Sequence, residues 1–167
     1  MPYWAKRLEQ GRHTYNARSE TADALVSFKE VWNRGQRCIV PLEAFYDPCW
    51  ESGKAVRWRI ERKDGAPMGV AGLWSAWTSP EGKRVLSFTM LTVNADGHAV
   101  MGRMHRPEDE KRMIAVLAPQ QYDAWLATPV PQMRGFLGCW PAEDLSAVPD
   151  PRQVGYATEN VSQPLLF

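Results

Sequence analysis

Cysteine is scarce in this sequence, which has three in 167 residues and no Cys-x-x-Cys pair. An odd number without paired spacing argues against a disulfide framework and against a zinc site. The sequence also shows no signal peptide and no apolar run near the length of a membrane span. We therefore expect a cytoplasmic protein, and no metal or organic cofactor is indicated.

An excess of charge of either sign is also missing. Twenty Lys and Arg against nineteen Asp and Glu give a net charge of +1, so any field that attracts nucleic acid has to be local. The length suits one domain over residues 1–167 with a real core. The eight tryptophans are unusual. Most must be core residues, but planar side chains also offer stacking platforms for unpaired bases.

Residues 1–18 read as loop, and the first helix is predicted after them. Thr21 is a plausible N-cap and Gly35 is placed to end a helix, which predicts helix over residues 22–34. The apolar face of this helix would consist of Leu25, Phe28 and Trp32.

Period-two patterning then predicts strands, because apolar residues alternate with charged ones at Val56, Trp58 and Ile60. Asp64-Gly65 is a hairpin-type turn before a return strand. Short strands are expected at 38–40 and 44–46, longer ones at 68–77 and 85–93, and a second helix at 118–127. The fold class is therefore α+β, with a mixed, mostly antiparallel sheet and flanking helices.

Several short blocks carry polar side chains in a definite order along the chain. They are Asn16-Ala17-Arg18-Ser19-Glu20-Thr21, Arg37-Cys38-Ile39-Val40-Pro41, Ala44-Phe45-Tyr46-Asp47, Ala71-Gly72-Leu73-Trp74, Ser87-Phe88-Thr89, and His105 followed by Lys111-Arg112-Met113. In this order the blocks resemble the SRAP family, the SOS response-associated peptidase-like proteins. The resemblance covers nearly the whole chain.

The resemblance implies a bifurcated, barrel-like sheet surrounded by helices, with a DNA cleft on one face. Members of the family process abasic sites in single-stranded DNA. Their N-terminal cysteine attacks the ring-opened sugar, and its amine and thiol close a thiazolidine that crosslinks protein and DNA. An autocatalytic removal of leading residues gave the family its peptidase name.

Three residues match the family's catalytic positions. Asn16 matches an asparagine that can donate to an oxyanion or hold a sugar hydroxyl. Asp47 aligns with a glutamate that moves protons, and His105 with a histidine that protonates the sugar ring oxygen. The alternative for Asn16 is an asparagine that stabilises the loop before the helix, and the alternative for Asp47 is an Asp-Pro turn between strands.

DNA contacts are implied at Trp4, Arg18, Arg12 and Arg103. Trp4, with Tyr3 beside it, matches an aromatic wedge against flanking bases. Arg18 matches a phosphate contact, with a surface salt bridge to Glu20 as the alternative. A local phosphate-binding face would add Lys6, Arg7 and Arg106 to these arginines. Glu20 is expected to be structural, buried and paired with an arginine, whereas His13 and His98 are expected at the surface.

The family's N-terminal cysteine has no counterpart here, since the sequence begins Met1-Pro2-Tyr3-Trp4. The domain is therefore expected to be short at its N-terminus, and a second chain is a possible source of the missing segment. Within this sequence the alternatives are the Pro2 amine, which can form an iminium with an aldehyde, and the Cys49 thiol. If a cysteine-bearing N-terminus precedes these residues, full crosslinking is expected.

Three functions follow from these residues. The first is recognition of abasic sites in single-stranded DNA, with covalent capture as a separate question. The second is a non-catalytic module that binds single strands or junctions. The third is a thiol hydrolase in which His105 activates Cys49 or Cys139.

Overall fold

The computed structural model describes residues 1–2 and 4–151, so Tyr3 and the last sixteen positions lie outside the described residues. Within that part there are nine strands and two short α-helices. They are β1 (Asn16–Arg18), α1 (Lys29–Asn33), β2 (Arg37–Leu42), β3 (Ala44–Cys49), β4 (Val56–Arg62), β5 (Met68–Thr78), β6 (Arg84–Asn94), β7 (Arg112–Ile114), β8 (Val116–Leu117), α2 (Tyr122–Ala127) and β9 (Leu145–Pro149).

The larger sheet has the order β1-β6-β5-β2, and β7 and β8 also pair within it. Among the described strands, only β1 and β6 run parallel. The presence of β1, and of a 3-10 turn over Leu8–His13, contradicts the loop predicted for residues 1–18. The loop prediction was wrong because a three-residue strand is too short to leave a periodic pattern.

The larger sheet divides where β5 and β6 separate. These strands pair from Thr78 opposite Arg84 to Gly72 opposite Met90, and beyond that point β7 pairs with β6 while β8 pairs with β5. Between β7 and β8, Ala115 bridges both strands: its carbonyl accepts from Ala71 N at 2.9 Å and its N–H donates to Leu91 O at 2.8 Å. Since Ala115 is fully buried, the segment that separates β5 from β6 is part of the core.

The smaller sheet has the order β3-β4-β9. The chain passes from β2 to β3 through the single residue Glu43, so one nearly continuous stretch belongs to both sheets. The predicted turn at Asp64-Gly65 exists, with Gly65 at φ 71°. The predicted hairpin was wrong, however, because β5 pairs with β2, β6 and β8 rather than with β4.

The first predicted helix is much shorter than residues 22–34. Only Lys29–Asn33 is α-helical, and its N-cap is Phe28 rather than Thr21. Gly35, at φ 61°, follows the helix as predicted. Phe28 and Trp32 are buried as expected, but Leu25 is 47% exposed, so the expected apolar face is incomplete.

The second helix packs against the larger sheet. Trp125 of α2 is fully buried and donates its indole N–H to Cys38 O in β2 at 3.0 Å. No helix among the described residues is long and apolar enough to cross a membrane. The arrangement confirms the α+β class, with a curled, half-barrel sheet and few helices.

Gly69 in β5 allows Tyr122 of α2 to lie directly on the sheet. A Cβ at Gly69 would stand 2.5 Å from the Tyr122 hydroxyl and 2.6 Å from the ring carbon that carries it. We expect Gly69→Ala to lower the free energy of unfolding by about 1–3 kcal/mol, because the ring must move. Gly138→Ala is the control, since a Cβ there meets nothing within 4 Å. Equal urea midpoints for the two variants would contradict this account.

Candidate active site and nucleic-acid interface

Asp47 and His105 meet where β3 lies beside the turn that follows β6. His105 Nδ1 is 3.5 Å from Asp47 Oδ1, with side-chain exposures of 25% and 19%. On the backbone, His105 N donates to Pro48 O at 2.8 Å, and Cys49 and Met104 form an isolated β-bridge. The structure therefore brings together two of the three predicted catalytic residues.

The His105 backbone is held in an unusual conformation. Its φ of 60° is the only positive value among the described non-glycine residues. Such a conformation costs energy for a residue with a Cβ, and surrounding contacts must maintain it. Its ring nitrogen Nε2 is buried and has no hydrogen-bond partner among the described residues. Buried polar atoms without a partner are uncommon in folded proteins, so this nitrogen is a candidate contact for a bound ligand.

Burial raises the pKa of Asp47 to about 6, and the nearby His105 acts in the opposite direction. Desolvation therefore outweighs the attraction between the two groups. A pKa of about 6 lies nearer to neutral pH than that of an ordinary carboxyl, which suits a group that accepts and returns a proton. This property does not depend on the resemblance to any family.

His98 fixes the turn that leads to His105. Its Nδ1 accepts from Val100 N at 3.3 Å and Met101 N at 3.0 Å, so Nε2 carries the proton donated to Trp140 O at 2.8 Å. His98 is therefore a half-buried structural residue, which corrects the surface position expected from the sequence. His13 is exposed as expected.

Asn16 and Arg18 lie on the exposed side of β1, with the buried Ala17 between them. Alternate residues of a strand project to the same face, so the amide and the guanidinium point the same way. Arg18 is 60% exposed and forms an ion pair with Glu110 at 2.8 Å. The salt bridge to Glu20, considered as an alternative from the sequence, is replaced by this pair.

Arg112 joins β1 to the rest of the larger sheet. Its guanidinium is 13% exposed, contacts Glu20 at 2.9 Å and Glu110 at 2.7 Å, and donates to Thr92 O at 2.7 Å. Burial lowers the pKa of Arg112, but the hydrogen bonds and the charges of the two carboxylates together raise it by more, so the net direction is upward. Glu20 is paired with an arginine as expected, although its side chain is 48% exposed rather than buried.

One connection, the segment 95–111 between β6 and β7, touches both groups of candidate residues. Its base is closed by Ala95 N donating to Lys111 O at 2.8 Å. One part of it carries His105 against β3, and its last part carries Glu110 against Arg18 of β1. The Asp47–His105 pair and the Asn16–Arg18 face are therefore anchored to the same segment.

Arg103 and Arg106 are occupied by local contacts. Arg103 forms a two-pronged contact with Glu51 at 2.8 and 2.7 Å, and its guanidinium lies 4.6 Å from the centre of the Trp58 ring. Arg106 stacks over Trp50 at 5.0 Å. In this state Arg103 fixes the turn before His105, and its role in DNA binding stays a prediction.

The leader before β1 carries the remaining predicted DNA contacts. Trp4 is 40% exposed, and Lys6, Arg7 and Arg12 are exposed as well. Pro2 is buried, and the amine of Met1 contacts Ser75 Oγ at 3.2 Å and also Ser87 Oγ. Burial lowers the pKa of this amine.

The three thiols are free, and none forms a hydrogen bond with a histidine among the described residues. Cys49 is 3% exposed, and its Sγ is 3.7 Å from Glu51 Oε2. Burial raises the pKa of Cys38 to about 11 and also raises that of Cys139. A thiol is a nucleophile as the thiolate, so these surroundings do not favour the thiol hydrolase.

Sequence reasoning missed two features of the site. It did not assign His98 to the turn of His105, because a histidine that binds only backbone groups leaves no motif. It also did not connect Glu110 with Arg18. The run Glu108-Asp109-Glu110, placed between His105 and Arg112, was the available signal for an ionic contact.

Known proteins resemble this chain over most of its length. The abasic site processing protein YoqW of Bacillus subtilis is 28% identical over 153 residues, which cover 88% of this chain and 64% of YoqW. The abasic site processing protein YoaM of the same organism is 30% identical over 129 residues, 75% of this chain and 52% of YoaM. The chain thus spans less than two thirds of either relative.

Solved structures share the fold. A protein from Bordetella bronchiseptica superposes with a TM-score of 0.84 at 41% identity, covering 91% of this chain and 74% of that one. A protein from Bacteroides thetaiotaomicron gives a TM-score of 0.75 at 23% identity, which supports the fold alone. The family described as SOS response associated peptidase (SRAP) matches residues 1–157. With the Asp47–His105 pair and the ordered blocks in place, this chain belongs to the SRAP family.

Proposed function

We propose that this domain processes DNA by recognising abasic sites in single strands. The observation that carries the proposal is the Asp47–His105 pair, in which a carboxyl with a raised pKa lies 3.5 Å from an imidazole whose other nitrogen has no hydrogen-bond partner among the described residues. The names of the relatives YoqW and YoaM, both abasic site processing proteins, support the choice of substrate.

In the proposed reaction the pair opens the sugar ring of the abasic site. The Asp47 carboxylate accepts the proton of the hemiacetal hydroxyl at C1, and the C1–ring oxygen bond breaks. Protonated His105 donates its proton to the departing ring oxygen, which becomes a hydroxyl group. The products are an aldehyde at C1 and a free hydroxyl, with no other reactant consumed. Asn16 would hold a sugar hydroxyl or the developing oxyanion.

The strand itself would be held by Arg18 and Trp4. A guanidinium that is 60% exposed can bind a phosphate with two parallel hydrogen bonds. An exposed indole can stack on a base beside the lesion, a contact worth about 1–3 kcal/mol. Because the net charge is only +1, binding depends on these local groups.

A non-catalytic module for single strands is the second candidate. It is favoured by the state of the thiols, since Cys49 is buried and burial raises the pKa of Cys38 and Cys139. In this alternative Asn16, Arg18 and Trp4 bind DNA, and the Asp47–His105 pair serves only the fold. A second chain that supplies a further segment stays a prediction.

Binding to a single-stranded oligonucleotide with one abasic site tests the proposal. We expect tighter binding than to the intact oligonucleotide, measured by fluorescence anisotropy. Arg18→Gln should weaken both and reduce the slope of log affinity against log salt by about 0.7. Arg34→Gln is the matched control, because Arg34 is an exposed arginine paired with Glu30 on α1. Equal affinity for abasic and intact strands would favour the non-catalytic module.

Covalent capture is tested separately on a denaturing gel. Attack of a neutral amine of this chain on the aldehyde, with uptake of one proton, would form an iminium and release water. Sodium cyanoborohydride reduces such an iminium to a stable amine. We expect a shifted band with the abasic strand and reductant, and its loss in His105→Gln if ring opening uses this imidazole. No band from the wild type, with or without reductant, would exclude covalent capture by this chain.

The raised pKa of Asp47 predicts how stability depends on pH. The folded protein holds this proton with a pKa of about 6, above the usual value of 3.8. Its contribution to stability is therefore complete below about pH 4 and is lost as the pH rises through 6. Relative to Asp47→Asn, the wild type should lose about 1–3 kcal/mol between pH 4 and 7. Urea unfolding at four pH values measures this, and parallel curves for the two proteins would refute it.

A further inference from the structure

Glu110 holds a central place among the charges beside β1. Its carboxylate contacts Arg18 at 2.8 Å, Arg112 at 2.7 Å and the amide of Asn94 at 3.2 Å. Arg112 has two further partners, Glu20 and Thr92, whereas no other ion pair of Arg18 is found among the described residues. Glu110 is therefore the carboxylate that occupies the Arg18 guanidinium.

The surrounding turn presents Glu110 in this position. Asp109 N donates to Arg106 O at 3.0 Å, and Lys111 N donates to Asp96 Oδ1 at 3.0 Å. Glu108 and Asp109, the other acidic residues of the run, are exposed and form no ion pair among the described residues. The contact with Arg18 thus belongs to Glu110 in particular and does not reflect a general acidity of the turn.

A phosphate and the Glu110 carboxylate would use the same donors of Arg18. Both are oxyanions that a guanidinium binds in the same geometry. The Arg18–Glu110 pair is largely exposed, at 60% and 33%, so it is weak enough to be exchanged for another anion. After exchange, Glu110 keeps its contacts with Arg112 and Asn94, so its charge is not left without partners.

We propose that Glu110 is an intramolecular competitor of DNA phosphate for Arg18. This inference rests on the proposed function, in which Arg18 binds the strand. In the free protein the carboxylate occupies the guanidinium, and the backbone phosphate of a bound strand displaces it. Glu110 therefore lowers the affinity for single strands, because a phosphate binds Arg18 only after it displaces the carboxylate.

The test compares two substitutions that remove the same charge from the same turn. Glu110→Gln should bind a single-stranded oligonucleotide about two- to fivefold more tightly than the wild type, the range expected for one exposed ion pair. Glu108→Gln, the matched control, should show a clearly smaller gain because Glu108 does not contact Arg18. Both affinities are measured by anisotropy at one salt concentration, with thermal melts to verify folding.

A double-mutant cycle isolates the contact with Arg18. In an Arg18→Gln background, Glu110→Gln should give no gain beyond that of Glu108→Gln. An equal gain in both backgrounds would overturn the competition and point to a loosened Arg112 instead. Equal gains in affinity for Glu110→Gln and Glu108→Gln in the wild-type background would show that the gain comes from the change in net charge, and would overturn the competition.

The outcomes also separate this inference from the proposed function. Wild-type protein that binds, together with unchanged affinity in Glu110→Gln, would overturn the competition while leaving recognition of the strand in place. Binding that appears only in Glu110→Gln would support the competition strongly. Absence of binding in both proteins would overturn the competition and the proposed function together.

Discussion

The separation of β5 and β6 around Ala115 is the constraint on which the rest of the structure depends. Two strands that pair as far as Gly72 and Met90 cannot continue side by side once a third segment enters between them. Ala115 accepts from the Ala71 N–H on one side and donates to the Leu91 carbonyl on the other, so both of these backbone groups are paired where the strands separate. The side chain of Ala115 is fully buried, so this branching point lies in the core.

The same inserted segment positions the functional residues. It begins with Arg112, which binds Glu20 and Thr92 and thereby ties the end of β1 to β6. The connection that precedes it carries His105 to β3. A single excursion of the chain thus divides the sheet, fixes the strand of Asn16 and Arg18, and brings the imidazole to Asp47. The residues proposed for strand recognition and those proposed for proton transfer are therefore held by one stretch of the chain.

The sequence predicted best where packing imposes a simple period. Strand β4 was predicted from the alternation around Trp58, but the predicted hairpin with β5 was wrong, since a turn at Gly65 does not determine the next partner and β4 pairs with β3 and β9. Residues 68–73 of β5 are buried on both faces, which suits the centre of the larger sheet and not a hairpin with β4. Of the helix predicted over 22–34 only Lys29–Asn33 is α-helical; the first half forms turns, in which Asp23 pairs with Arg134.

For the site, the ordered blocks named Asp47 and His105 as candidates but did not predict their contact. Asp47 and His105 were chosen from separate blocks. Their side chains lie 3.5 Å apart with the His105 backbone at φ 60°, a conformation that a histidine in the sequence does not predict. His98 acts through backbone groups, so only the folded chain reveals it.

The turn before β7 differs from an ordinary loop insertion in the charge that it places beside β1. Loop insertions are tolerated cheaply, so extra residues between His105 and Arg112 would need no function on thermodynamic grounds. Yet this turn ends in a carboxylate bound to the exposed arginine on the face of Asn16. In a protein with a net charge of +1, one carboxylate at that arginine changes the local field more than any distant residue. Under the proposed function this turn belongs to the nucleic-acid interface, and Glu110 opposes the binding that Arg18 promotes.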